Sequence, residues 1–263
     1  MKLLTLNCHS WQEENQLDKI NYLAEILKEN DYDIIALQEV SQHIDRDLCE
    51  GNLREDNYML LLKRELERIG ACKYYSVWDF SHMGYDVYEE GLCLLSKHPI
   101  LNHESFYITN GESKSNWKSR KVVKASVDYK GEIVDFVSCH LGWWNDEEEP
   151  FNIQVEKLNK KINNQRQTFL LGDFNNNANL RDEGYDFIKN SGWLDTYDLA
   201  LSKDEGITVK GKIDGWEKNE AKLRLDLILS NKLVNVESSK VIFNEKNKKM
   251  VSDHYGVEVN LNM

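Results

Sequence analysis

With 263 residues, 41% apolar and 30% charged, and only 2 prolines, the chain can bury a sizeable core and lacks the composition of a disordered, collagenous or coiled-coil protein. Its 33 Lys+Arg against 45 Asp+Glu leave a net charge of -12, which repels polyanions and disfavours non-specific nucleic-acid binding. Five cysteines (Cys8, Cys49, Cys72, Cys93, Cys139) without a CxxC pair fit a reducing compartment, and no stretch nears the roughly 18 apolar residues of a membrane span.

A cytoplasmic protein with a single domain over residues 1–263 is therefore expected. Residues Lys2 to Asn7 alternate apolar and polar like a strand, and residues 16–30 place Leu17, Ile20, Leu23, Ala24 and Leu27 on one helical stripe. Residues 33–37 read as a buried strand, which completes a strand, helix, strand unit of parallel-crossover length. Leu61, Leu62, Leu66 and Ile69 predict a helix over 57–70, stopped by Gly70. Beyond Tyr74 short apolar runs recur at 91–95, 122–129 and 132–139, with Lys130-Gly131 as the clearest tight turn. A helix over 152–163, a strand over 168–171, a helix over 180–189 and strands at 225–229, 234–243 and 255–261 complete the order. The sequence has no linker and no repeat period, so helices must cover the outer faces of strands in one packed unit. Two mixed sheets packed together, with helices outside, is the α/β architecture this order predicts.

Polar residues gather where those strands end: Thr5-Leu6-Asn7, Gln38-Glu39, Ser138-Cys139-His140-Leu141, Gly172-Asp173-Phe174-Asn175 and Ser252-Asp253-His254. Arg224-Leu225-Asp226 stands at the start of a strand. Singly, each reads as readily as a capping amide, an Asx turn or a solvated carboxylate. Together, two histidines, four carboxylates and two asparagines are an inventory for a hard metal ion with acid/base chemistry at phosphorus.

In this order and spacing the clusters resemble the endonuclease/exonuclease/phosphatase superfamily, the DNase I-like fold, from Asn7 to His254. Gly172-Asp173-Phe174-Asn175 and Ser252-Asp253-His254 carry the resemblance most specifically. It implies a four-layered α/β sandwich and a Mg²⁺-dependent phosphoester hydrolase, with Mn²⁺ as a possible substitute. By this resemblance Asn7, Glu39 and Asp253 hold the metal. Asp173 and His254 jointly activate the attacking water, and Asn175 holds water and a phosphoryl oxygen. Asp226 fixes the tautomer of His254, and His140 donates to the phosphoryl oxygen. Glu90 stands where the family places the carboxylate that pairs with this histidine, in a run (Tyr88-Glu89-Glu90-Gly91) where a slip of one residue would select Glu89. Arg120 stands where the family often carries an arginine facing the phosphate, and it reads equally as part of a solvated basic loop. His43, His82, His98 and His103 lack such context and are read as surface or structural residues, whereas His9 lies two residues beyond Asn7.

The shared core does not choose the substrate, because loops read it. Trp11, Trp117, Trp143 and Trp144 stand beside the strand ends, and indole faces at a rim suit sugar rings, although core packing is the commoner fate of a tryptophan. The segments from His9 to Asn15 and from His140 to Trp144 are similar to those of bacterial maltose 6-phosphate phosphatases. That likeness implies a phosphorylated disaccharide such as maltose 6-phosphate as substrate, with His9, Trp11, Trp143 and Trp144 as binding residues beside the phosphate-facing Arg120. Neither nucleic acid nor a membrane is an expected partner, and the oligomeric state is open. A nuclease or sphingomyelinase-like phosphodiesterase is the rival reading, supported by the run Lys114, Lys118, Arg120, Lys121, Lys124. A non-catalytic binding protein on the same fold would have lost a carboxylate or base, and Glu39, Asp173, Asp226 and His254 are all present.

Overall fold

The computed structural model describes all 263 residues. The first half of the chain runs β1 (Lys2–Asn7), α1 (Gln16–Asn30), β2 (Ile34–His43), a small ribbon of β3 (Leu48–Glu50) and β4 (Leu53–Arg54), α2 (Tyr58–Arg68), β5 (Tyr75–Gly84), β6 (Tyr88–Ser96) and β7 (Ile100–Tyr107). Then follow β8 (Lys121–Tyr129), β9 (Glu132–His140), α3 (Phe151–Lys161), β10 (Gln167–Asp173), α4 (Gly184–Asn190), β11 (Leu194–Asp195), α5 (Thr196–Leu199) and β12 (Ser202–Lys203). A second ribbon of β13 (Val209–Lys210) and β14 (Lys222–Leu223) precedes β15 (Asp226–Ser230), β16 (Asn235–Ile242) and β17 (Gly256–Asn262).

These strands form a seven-stranded sheet in the order β12-β16-β17-β1-β2-β6-β5 and a six-stranded sheet in the order β11-β15-β10-β9-β8-β7. Both are mixed, since β1 pairs parallel with β2 and β10 parallel with β9 while their other neighbours run antiparallel. The layers follow from side-chain alternation. Leu3, Ile34, Val123, Phe136, Phe169 and Ile228 fill the core between the sheets. Leu4, Leu6, Ile35 and Leu37, which point the other way, pack under α1 and α2. Leu170, Val137 and Leu227 pack under α3 and α4 with Phe151, Leu158 and Ile188. The four-layered α/β sandwich is thus built as expected.

Helix α1 has the expected bounds, and Lys130 and Gly131 turn with φ of 55° and 89°. Three features differ from the sequence reading. The strand at 33–37 continues to His43, because its pairing with β6 shifts between Leu37 and Val40 instead of ending there. The helix expected over 180–189 starts only at Gly184, since Asp182 adopts a left-handed φ of 61° that breaks a helix. Strands β5 and β7 are edge strands of mixed polarity without a clean alternation, and no expectation covered them.

Gly172 lies inside β10, opposite Cys139 of β9. Its value is close approach, since a Cβ there would overlap the Cys139 carbonyl. Gly172→Ala should accordingly lower stability by about 1–3 kcal/mol through overpacking, read as a shift of the urea midpoint at unchanged m-value.

Candidate active site

The inner faces of the two sheets read 3-5-7, 34-36-38, 136-138-140, 169-171-173 and 226-228, and each row changes from apolar to polar at the same end of the sandwich. Cross-strand register then sets His140 beside Asp173 and Asp173 beside Asp226. From the facing sheet, Asn7 Nδ2 donates to Glu39 Oε1 at 2.7 Å and reaches Asp173 Oδ2 at 3.2 Å. Gln38 Nε2 donates to Ser138 Oγ at 3.0 Å just beneath. The site is therefore the polar end of the inter-sheet core, open to a cavity of about 460 Å³.

Glu39 reaches that cavity because it occupies the irregularity in β2, with φ of 51°; a bulge re-aims a side chain that regular alternation would send elsewhere. Burial and the neighbouring Glu90 push its carboxyl up to about 8. Asp173 accepts the Asn175 backbone N–H on Oδ1 at 2.8 Å and lies 3.7 Å from Nε2 of both His140 and His254. His254 Nδ1 pairs with Asp226 Oδ2 at 2.9 Å, so its Nε2 faces Asp173. Burial opposes charge on this imidazole, yet the two carboxylates outweigh it and raise its pKa. His140 is the reverse case: burial and the Arg120 charge keep it neutral, able to donate one ring N–H.

Arg120 is 4% exposed and its Nε has no partner. Its Nη1 lies 3.4 Å from both ring nitrogens of His140, which places the guanidinium against the ring rather than on a carboxylate. On its other side it stacks 5.5 Å from the Trp143 ring centroid. A buried guanidinium without an ion pair is costly unless a ligand supplies the anion. The other buried arginine, Arg224, is by contrast paired with Asp195 at 2.7 Å.

Glu90 shares the inner face of β6 with Leu92 and Leu94 and lines the cavity, whereas Glu89 points out to Arg54 at 2.8 Å. The one-residue ambiguity is thus resolved by strand alternation. Glu90 Oε1 lies 3.9 Å from His140 Nδ1 and closer, 3.3 Å, to His82 Nε2. His82, read from sequence as structural or superficial, is a buried cavity residue whose Nδ1 meets the Ser119 carbonyl at 3.1 Å. Its signal was the hairpin register that opposes it to Glu90, legible only once β5 is known. His43 and His98 do serve locally, on Asp56 and Asp33, and His103 is exposed.

The other expected residues divide. Asn175 lines the cavity with a left-handed φ of 50°, and Trp143 lines it with a buried indole N–H that has no partner. Trp144 is turned away, packed against Phe151 and Phe187 of the outer core. Trp11 is likewise not in the cavity: its indole N–H donates to the Ser41 carbonyl at 3.2 Å and its ring packs on His43. Asp253 lies in the turn before β17, not on a strand, and sits 3.7 Å from His9 rather than against Asn7. His9 pairs with Glu13 at 2.8 Å; burial opposes its charge, but the Glu13 and Asp253 carboxylates lift it to about 9. The loops add rim residues that no motif marked, among them Tyr85, Asp86, Asp214 and Glu217.

The donor set fits a hard divalent cation. Glu39, Glu90, Asp173 and Asp226 are four carboxyl groups at this end of the sandwich, and the donors at Asn7 and Glu39 are oxygens. Residues 4–254 match the model of the endonuclease/exonuclease/phosphatase family. The chain belongs to this family. It is similar to a family protein from Leptotrichia buccalis, at 40% identity over 100% of both chains with a TM-score of 0.95. The fold is shared with a Bacteroides thetaiotaomicron mannosyl-6-phosphatase (16% identity, 100% of both chains, TM-score 0.73). It is shared also with truncated Caenorhabditis elegans TDP2 (19% identity, 100% of this chain and 97% of that one, TM-score 0.67). No curated protein matches the sequence. Family membership supports a metal-dependent phosphoesterase, and no helix is long and apolar enough to cross a membrane.

If Glu90 serves the site and Glu89 the surface, Glu90→Gln should lower turnover of a chromogenic phosphate ester at least about tenfold while Glu89→Gln leaves it within about twofold. Equal effects would remove Glu90 from the site.

Proposed function

We propose that the protein is a Mg²⁺-dependent phosphomonoesterase that acts on a small phosphorylated sugar. The observation that carries the phosphate is Arg120, a buried guanidinium that lines the cavity with no ion pair and with its Nε–H unpartnered. A tetrahedral phosphoryl group between Arg120, neutral His140 and Asn175 would find N–H donors on several sides. The metal, held by Glu39 and Asn7 with Asp253 nearby, would neutralise charge developing on the phosphoryl oxygens. Asp173 and the Nε2 edge of His254 bracket the place for the attacking water. Asp173 is held by the Asn7 and Asn175 donors, and His254 by Asp226. Held this way, neither side chain must reorganise as the proton leaves water.

The sugar is argued from the rim. Trp143 and the 53% exposed Trp117 meet edge to face with centroids 6.0 Å apart, beside Tyr85, and Asp86, Asp214 and Glu217 complete the wall. Aromatic faces with carboxylate acceptors suit a neutral polyol, whose C–H faces stack and whose hydroxyls donate. The same carboxylates repel the flanking phosphates of DNA. This favours the sugar phosphate over the nuclease reading, although Lys114 also stands close to the rim, over the Phe80 ring. The expected site of action is the cytoplasm.

Chelation should abolish turnover and added Mg²⁺ or Mn²⁺ should restore it; full activity in metal-free protein would contradict the mechanism. Asp173→Asn and His254→Ala should each cost several orders of magnitude in kcat with little change in unfolding midpoint, and Asp226→Asn less, since it acts through His254. In a panel of phosphorylated sugars, nucleotides, plasmid DNA and an aryl phosphate, a disaccharide phosphate should be hydrolysed fastest. Trp143→Ala should depress the sugar phosphate more than the aryl phosphate, by about 1–3 kcal/mol in kcat/KM, whereas Trp144→Ala should lower stability instead. A preference for DNA would give the case to a nuclease.

A further inference from the structure

The loop between β13 and β14 closes one end of the cavity and touches the site at three points. Gly215, with φ of 74°, packs against the Trp143 indole, where a Cβ would come to 2.5 Å from Cζ2. Asp214 accepts the hydroxyl hydrogen bond of Tyr85 from across the cavity. Between them Trp216 turns inward, and its indole Nε1–H donates to Asn175 Oδ1 at 3.0 Å while its ring packs on the small cluster of Val209, Ile213, Leu223 and Leu225.

Asn175 therefore has its carboxamide fixed at both ends, because Nδ2 donates one hydrogen to the Leu141 carbonyl at 3.0 Å. Only one hydrogen of Nδ2 is left for the cavity. An anion there needs that N–H and is repelled by the carbonyl oxygen of a flipped amide. No other donor to Asn175 Oδ1 is present, so the Trp216 N–H at one end and the Leu141 carbonyl at the other together select this orientation over the flipped one.

We propose that Trp216 is a positioning residue for phosphoryl transfer, holding the Asn175 carboxamide N–H toward the phosphoryl group and so joining the loop that closes the cavity to the reacting centre. This rests on the reading of Asn175 as a phosphoryl-binding residue, but not on the identity of the sugar.

The test is a double-mutant cycle of Trp216→Phe, which removes the N–H and keeps an apolar ring, with Asn175→Ala. It is read as kcat on whichever phosphoester the Mg²⁺-loaded enzyme turns over best, and as competitive inhibition by inorganic phosphate. Trp216→Phe alone should lower kcat and weaken phosphate inhibition roughly 3- to 10-fold, the range of one lost hydrogen bond, with KM within about twofold. In the Asn175→Ala background it should change neither. Leu223→Ala, which loosens the same packing without touching the N–H, should lower the thermal midpoint and leave kcat near the native value. Additive losses in the cycle, an unimpaired Trp216→Phe, or a Leu223→Ala that mimics it would each overturn the proposal. If Asn175→Ala is itself unimpaired, the reading of Asn175 fails, and the proposal fails with it. If only the sugar phosphate is refused, the cycle on another ester still decides.

Discussion

The site depends on two sheets held face to face by an apolar core that stops short of one end. Phe136, stacked on Phe169 with centroids 5.6 Å apart, belongs to the dry part of that interface. One or two residues further along the same rows come Gln38, Ser138, Asn7 and Asp173, joined across the gap by hydrogen bonds. Apolar burial sets the sheet separation, and the polar groups inherit a spacing at which an amide on one sheet reaches a carboxylate on the other. Their precision costs little flexibility because rigid strands carry them.

Charge at that end is unbalanced by construction. Four carboxyl groups meet the Arg120 guanidinium and the His254 imidazole there, and burial raises Glu39 and Glu90, to about 8 and about 7. Elsewhere a buried guanidinium is paired internally, as Arg224 is with Asp195. Here Arg120 instead stacks between His140 and Trp143. The arrangement suits a cation beside Glu39 and an anion beside Arg120, the two charges a metal-assisted phosphoester hydrolase brings together. Such a site is a cost to stability that the three apolar clusters on either side of the sheets must offset.

The rim follows a different rule. Its residues come from the turn of the β5–β6 hairpin, the loop at 115–117, the segment after β9 and the loop between the two strands of the second ribbon, none of which belongs to the sandwich core. These loops can therefore vary while Asn7, Glu39, Asp173 and His254 stay where the strand ends hold them.

By itself the sequence determined the layers and which polar segments stand at the strand ends. Helix α1, the alternation of β1 and the apolar runs of β8 to β10 are local patterns, and a pattern of period 2 or 3.6 is visible without knowing what it packs against. The Gly172-Asp173-Phe174-Asn175 segment and the His254 end were legible because their residues lie close together in the chain. Tertiary structure alone decided where single side chains go. It turned Trp143 to the cavity and Trp144 to the outer core, selected Glu90 over Glu89, and placed His82 against Glu90 through a hairpin of mixed polarity. It also carried β2 through an irregularity that aims Glu39, and brought Trp216 to Asn175 across 41 residues of chain. Each of these depends on cross-strand register or on a loop folding back, and such contacts leave no period in the sequence because their energy comes from partners far away along the chain.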